Sequence, residues 1–370
     1  MDYIPMVIPN DNIIIGDVHL CRDSSNLSTY FFTEFVFKQV LLDVIKVKET
    51  KGKVSVTFMG DLWHNESYVN TFIGSRFSKI LRDICDVADI VIFLVGNHDT
   101  YTKASNEDNG VNFFAGISNV HIVIDTAVYK TENGDTVNMV SYCHDENKLI
   151  KKLEKLEDDS YVYMHNEIAG FVYKGENSVC LLNQTHLSKF KKVFNGHIHG
   201  QQSRSNLFLT GSLEQNNFGE SGNKNYWYNY NYLDKSITWF ENNISPKYAK
   251  VKAEDIKDKS PIDFDKFYEK YHVRVYYKNK EEEQFCHDFV KNLKNLLSIK
   301  LLFVSNNEEI DKDVDNTVEM KSMDESIEEV ALYLSKGMVG TEFNGFKVSE
   351  EISSMVDDKI VEYHERIRHL

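Results

Sequence analysis

Proline is nearly missing from this chain, with 4 in 370 residues, and no stretch is rich enough in it to form a polyproline or collagen-like segment. Cysteine is also sparse. The five (Cys21, Cys85, Cys143, Cys180, Cys286) are scattered, odd in number and never spaced as C-x-x-C. That pattern excludes a disulfide framework and a thiolate metal site, and it points to a reducing, cytoplasmic setting. Long apolar runs are absent too. The longest, Ile90 to Val95, is of strand length and far below the roughly 20 residues that a membrane span needs. The N-terminus has no basic stretch followed by an apolar one, so no signal peptide is expected.

Basic charge is in deficit: 42 Lys and Arg against 57 Asp and Glu, for a net charge of −15. Such a balance argues against coating nucleic acid or an anionic membrane by bulk attraction. The excess is uneven, however. From Leu301 onward there are 17 acidic and 7 basic residues, which leaves only −5 for the first 300. The body is therefore free to present a local basic face, and Lys189, Lys191 and Lys192 are its candidates.

What is present reads as a layered α/β protein. Ile13–Ile15, Val54–Met59, Ile90–Val95, Val120–Ile124, Tyr161–Met164 and Val193-Phe194 are strand-like strings. Val36, Val40, Val44 and Val47 recur at helical spacing, and a second helical pattern covers Asn147–Glu157. Alternation of this kind predicts parallel pairing, with ligands gathered beyond the carboxyl ends of the strands. After Pro246 the texture changes to a small β-α-β pattern: Val273–Tyr277, Glu281–Leu297 and Lys300–Val304. The segment 306–322 is acidic and Asn-rich and reads as a solvated linker. Residues 323–370 then carry two amphipathic patterns, the first opened by the capping box Ser322-Met323-Asp324-Glu325.

Five polar clusters each follow a predicted strand: Asp17-Val18-His19, Gly60-Asp61-Leu62-Trp63-His64, Gly96-Asn97-His98-Asp99, His165-Asn166 and Gly196-His197-Ile198-His199. Taken singly, each is weak, since a lone D-x-H or H-x-H is more often a hydrogen-bonded loop. Together they are hard to explain as a featureless sheet edge, because such groups cost stability when buried unpaired. Residues i and i+2 of an extended segment point to the same side, so Asp17 with His19, and His197 with His199, are each expected to aim two donors at one place. Carboxylate, imidazole and amide oxygen suit divalent manganese, iron or zinc, and the lack of thiolates disfavours a closed structural zinc site. Seven donors exceed the needs of one such ion but fit two ions roughly 3.5–4 Å apart that share a carboxylate.

In this order the clusters resemble those of the calcineurin-like metallophosphoesterases. The resemblance implies an α/β fold, a layered β-sandwich flanked by helices. It assigns Asp17, His19, Asp61 and His199 to one ion and Asp61, Asn97, His165 and His197 to the other, with Asp61 bridging. His98 looks like the histidine that contacts the scissile phosphate and protonates the leaving oxygen, with Asp99 orienting its ring. Within the family, Gly60 to His64 is similar to the G-D-L-F-H of SbcD-type DNA-repair nucleases, where the extra histidine, here His64, reaches the DNA phosphate. Gly211-Ser212 and Phe218-Gly219-Glu220 resemble further segments of that branch.

The expected organisation is then a nuclease domain over 1–245, a small α/β capping domain over 246–305, the linker over 306–322 and C-terminal helices over 323–370. Those helices would dock on an SbcC-like coiled-coil ATPase. The shorter bacteriophage form, the nuclease subunit of a recombination endonuclease, is the nearest in plan. Its likeness implies manganese as the metal (with magnesium or iron as substitutes), DNA as substrate, and a homodimer to which Glu66–Arg82 contributes. Leu20 and Cys21 stand where cellular members carry tryptophan and glycine. Two other readings remain open on the residues alone: a small-molecule phosphodiesterase with the same centre, and a scaffold that recruits the ATPase.

Overall fold

The structure is a computed structural model that describes residues 6–20, 27–65, 69–102, 105–173, 175–294 and 296–304, together with the short strands Val318–Ser322, Glu342–Phe343 and Phe346–Lys347. These fall into two units, Met1–Lys250 and Val251–Leu370.

The first unit is built on two facing sheets. One has six strands in the order Ile237–Glu241, Tyr226–Asn231, Asp11–Ile15, Ser55–Phe58, Ile90–Leu94, Val120–Val123, and its last four are parallel. The other has seven: Met6–Ile8, Thr126–Thr131, Thr136–Val140, Tyr161–Met164, Lys192–Asn195, Leu207–Leu209, Gln202–Arg204. Alternation along the strands decides which layer each side chain enters. Ile13 and Ile15 pack outward under the helices Leu27–Lys51 and Thr71–Val87, with Val36, Val40, Val44, Phe77 and Ile84. Ile14, between them, faces the other sheet with Ile92, Met139, Tyr163 and Phe194. On the far side, Val162, Met164 and Val193 pack against Leu149 and Leu153 of the helix Glu146–Lys155. The result is a four-layer α/β/β/α sandwich, the β-sandwich flanked by helices that the family resemblance implied.

The helix Thr71–Val87 has clear physical causes. Asn70 caps its first turn by accepting from the N–H groups of Phe72 and Ile73, and Ile73, Phe77, Ile80, Leu81 and Ile84 recur on one buried face. That face is spent on the protein's own core.

Among the residues of the second unit, the strands Tyr271–Tyr277 and Ser298–Phe303 pair in parallel and are joined by the helix Lys280–Val290, whose first turn is capped by Asn279. This is the β-α-β pattern. One expectation is corrected: Val318–Ser322, placed in the acidic linker, is a strand antiparallel to Ser298–Phe303. It escaped notice because its alternation of Val318 and Met320 with Glu319 and Lys321 is too short to stand out beside the acidic run. The helical patterns from Met323 onward, their capping box except Ser322, and Glu66–Tyr68 of the expected dimer stretch lie outside the described residues, while Ser322 ends the strand Val318–Ser322.

Candidate metal centre

The five polar clusters meet because five strands end at one level. Ile15, Phe58 and Phe93 are register partners in one sheet, and Met164 and Asn195 in the other. The loops that leave these parallel strands therefore open at the same edge, above the seam between the sheets. The first two loops run side by side: the N–H groups of Val18 and His19 both donate to Asp61 O, at 3.1 and 3.0 Å, and Leu20 N–H donates to Leu62 O at 2.8 Å. Trp63, buried beneath, anchors the second loop by stacking on Phe114.

The route by which the donors converge differs from the extended i, i+2 expectation. His19, Asp61 and His197 adopt left-handed backbone, with φ of 52°, 50° and 70°. Each such residue costs about 1–3 kcal/mol, and strain of this kind collects at functional sites. The chain turns at the donor itself, where an extended segment would run straight past. Space is equally tight: a Cβ on Gly196 would lie 2.7 Å from Asp17 Oδ1, 2.8 Å from His165 Nδ1 and 2.8 Å from Met59 O. Gly196→Ala is accordingly expected to cost about 1–3 kcal/mol of stability by overpacking and to disturb metal binding. Urea unfolding and manganese calorimetry on that variant check both.

All seven predicted donors come together. Asp17, His19 and His199 form one group whose ligand atoms lie within 4.8 Å of one another, and Asp61, His165 and His197 form a second. Asn97 Oδ1 joins the second group, 2.9 Å from His197 Nδ1 and 3.2 Å from His165 Nε2. Asp61 lies between the groups, with Oδ2 3.3 Å from His165 Nε2 and 3.8 Å from His19 Nε2. The fit to cations is visible in two places. Asp17 Oδ2 is fully buried with no hydrogen-bond partner among the described residues, an expensive arrangement for a carboxylate unless a positive charge faces it. His19 Nε2 and His199 Nε2 face each other at 2.9 Å across 180 residues of sequence, two ring nitrogens each able to offer a lone pair to one point. The set of carboxylate, imidazole and amide oxygen suits divalent ions of the manganese, iron or zinc type.

Electrostatics follow from burial and crowding. Burial lifts the carboxyl of Asp17 to about 6, against the pull of His165 and His199. Burial acts the same way on Asp61, but His165, which bonds it, and His19 overcome the effect and hold it below the usual carboxylate range. For His165, burial opposes the charge, yet Asp61 and Asp17 raise it to about 9. Burial pushes His197 down to about 3 and His19 well below its ordinary value, which favours the neutral ring in both. The two buried carboxylates thus favour positive charge at His165. Asp17 and Asp61 would draw the same charge from a bound divalent ion, for which His165 would serve as a neutral ligand.

His98 stands beside this cage. Its backbone N–H donates to Asp61 Oδ1 at 2.8 Å, and its ring Nδ1 lies 2.9 Å from His64 O, while Nε2 has no hydrogen-bond partner among the described residues. The ring of His64 lies parallel to that of His98, with centroids 5.7 Å apart. Asp99 is a correction, because its carboxylate does not orient His98. Oδ1 accepts from Trp63 N–H at 3.0 Å and Oδ2 from Gly96 N–H at 2.9 Å, so Asp99 stitches two loops together and the His64 carbonyl sets the ring. Burial, then the charge of Asp61, raises Asp99 to about 7.

The lysine rim is the second correction. Lys189 bonds the carbonyls of Glu154 and Leu156 and pairs with Asp158, while Lys191 pairs with Asp135 and Asp159. Lys192 is half-buried over the Phe208 ring. They precede or begin the strand whose far end bears His197, so they sit at the opposite edge of the sheet.

Sequence reasoning gave no chemistry to three groups that the structure brings in. Tyr142 stacks on His197, with centroids 6.2 Å apart. Met59 O accepts from His165 Nδ1 at 2.7 Å, and Glu220 Oε1 accepts from His199 Nδ1 at 2.7 Å. Burial would lower His199, but the hydrogen bond and charge of Glu220 raise it. Only Glu220 lay in a motif already noticed.

No curated protein matches the chain. A family model does: that of the calcineurin-like phosphoesterases fits residues 13–201, a span that begins in the first central strand and encloses every donor from Asp17 to His199. With that match over half of its length, the chain belongs to the calcineurin-like phosphoesterases, metal-dependent hydrolases of phosphoesters.

Proposed function

We propose that the chain is a DNA nuclease of the SbcD type that hydrolyses phosphodiesters at a two-ion centre. The observation that carries this reading is the His64–His98 pair stacked against the seven-donor cage. Asp17, His19 and His199 would hold one ion, Asn97, His165 and His197 the other, and Asp61 would bridge them. Held by these residues, two divalent ions would supply charge neutralisation at the phosphoryl oxygens and an activated water.

The protein's own residues supply the rest. His98, its Nδ1 tied to His64 O, presents Nε2 to the scissile phosphate and passes a proton to the leaving oxygen as the phosphorus–oxygen bond breaks. His64, parallel to it, offers a second imidazole to the phosphate backbone. The donor set supports manganese, with magnesium or iron as substitutes. Double-strand 3′-to-5′ exonuclease and single-strand endonuclease action belong to the proposal. So do a homodimer, work in the cytoplasm, and partnership with an SbcC-like ATPase through residues 323–370. No helix among the described residues is long and apolar enough to cross a membrane.

A second reading, a small-molecule phosphodiesterase, is favoured by one observation. The net charge is −15 and the lysines expected to grip DNA are engaged elsewhere, whereas DNA affinity ordinarily rests on Lys and Arg at the phosphates. Assays of the purified full chain on duplex DNA, single-stranded DNA and bis-p-nitrophenyl phosphate separate the two. The expected result is manganese-dependent cutting of DNA that chelator abolishes and that persists when residues 323–370 are deleted. Turnover of the small diester with DNA left intact would establish the second reading, and no turnover of either with manganese bound would leave only a scaffold.

A further inference from the structure

We infer that Glu220 is a positioning residue for His199, and that the strap carrying it, residues 211–220, tunes one of the two metal sites and not the other. The strap is fastened to both flanking loops. Ser212 N–H donates to His199 O at 3.0 Å, and Leu213 N–H to Asp17 O at 2.9 Å. A Cβ on Gly16 would stand 1.9 Å from Gly211 O, so the strap lies directly on the backbone of the Asp17 loop. The chain then returns through the 3-10 turn Phe218–Glu220, where Asn217 accepts from Gly219 N–H at 2.8 Å.

That turn delivers the carboxylate of the buried Glu220 to the outer side of the His199 ring. Oε1 accepts from His199 Nδ1 at 2.7 Å, while Oε2 is held by Asn216 N–H at 2.7 Å. With the proton on Nδ1 committed to a carboxylate, the Nε2 lone pair faces Asp17 Oδ2 at 3.7 Å and His19 Nε2 at 2.9 Å. His165 is held in the same sense, but by the neutral carbonyl of Met59. The two halves of the centre therefore differ: the one containing His199 has an anionic outer partner, and the one containing His165 a dipole. An outer carboxylate fixes the tautomer and raises ligand basicity, and loss of such a partner costs about 10–100-fold in metal affinity.

The effect on metal rests on the two-ion reading above; the effect on the ring does not. In the metal-free full chain with 15N-labelled histidine, His199 is expected to show the Nδ1–H tautomer by NMR. Glu220→Ala should abolish that preference, and Glu220→Gln, whose side-chain oxygen still accepts, should keep most of it. In manganese titration calorimetry, Glu220→Ala should weaken one of two sites by about 10–100-fold and leave the other within about twofold, with Glu220→Gln in between. An unchanged tautomer together with an unchanged two-site isotherm in Glu220→Ala overturns the inference. A wild-type protein that binds no manganese overturns the two-ion reading instead, and the tautomer measurement then decides the role of Glu220 by itself.

Discussion

Asp61→Asn is expected to reduce metal-dependent phosphodiester hydrolysis on the order of 10⁴-fold, equivalent to about 5 kcal/mol of transition-state stabilisation. Asp61 Oδ2 reaches an Nε2 of each donor group, 3.8 Å from His19 Nε2 and 3.3 Å from His165 Nε2. Asparagine keeps an oxygen that accepts from His98 N–H, so the loop retains its shape while the shared negative charge disappears. Calorimetry should show manganese binding weakened at both sites in this variant. Removing Asn97 should affect one site only, since its Oδ1 reaches His197 and His165 alone. Turnover by Asp61→Asn within tenfold of wild type would contradict a bridging role.

His98→Ala is expected to lower kcat by about 10²–10⁴-fold, the usual worth of a positioned general acid, while manganese stoichiometry stays the same. The distinguishing measurement is the leaving group. Hydrolysis of DNA releases a poorly departing alkoxide that needs a proton, whereas bis-p-nitrophenyl phosphate releases a phenolate that scarcely does. The loss should therefore be much larger on DNA than on the activated diester. Equal losses on both would mean that His98 binds the phosphate without transferring a proton. Full activity on both would remove His98 from the reaction.

The fold was legible wherever burial on both faces wrote itself into the chain. Ile13–Ile15, Ile90–Leu94 and Tyr161–Met164 are continuous apolar strings because each strand lies between two layers, and the valines of the first helix keep a helical period because one face is buried. Strands such as Tyr226–Asn231 were not, since Asn229 and Asn231 lie among the aromatics and donate their side-chain amides to Asp11, more than 200 residues away. No local rule anticipates such a partner. Val318–Ser322 likewise reads as part of an acidic linker until its pairing with Ser298–Phe303 is seen.

The sequence by itself determined the chemical inventory of the centre: two carboxylates, an amide and four imidazoles, each just beyond a strand. A donor's identity and its distance from a strand end are local properties. Only the tertiary structure decided how they are used. Left-handed turns at His19, Asp61 and His197, forced by loops packed side by side, replaced the straight extended geometry. Asp99 went to backbone N–H groups and the ring of His98 to a carbonyl, because a buried carboxylate bonds the nearest donors that folding presents. Glu220 met His199 through a strap that crosses two loops, a meeting fixed by packing, to which spacing along the chain gives no clue.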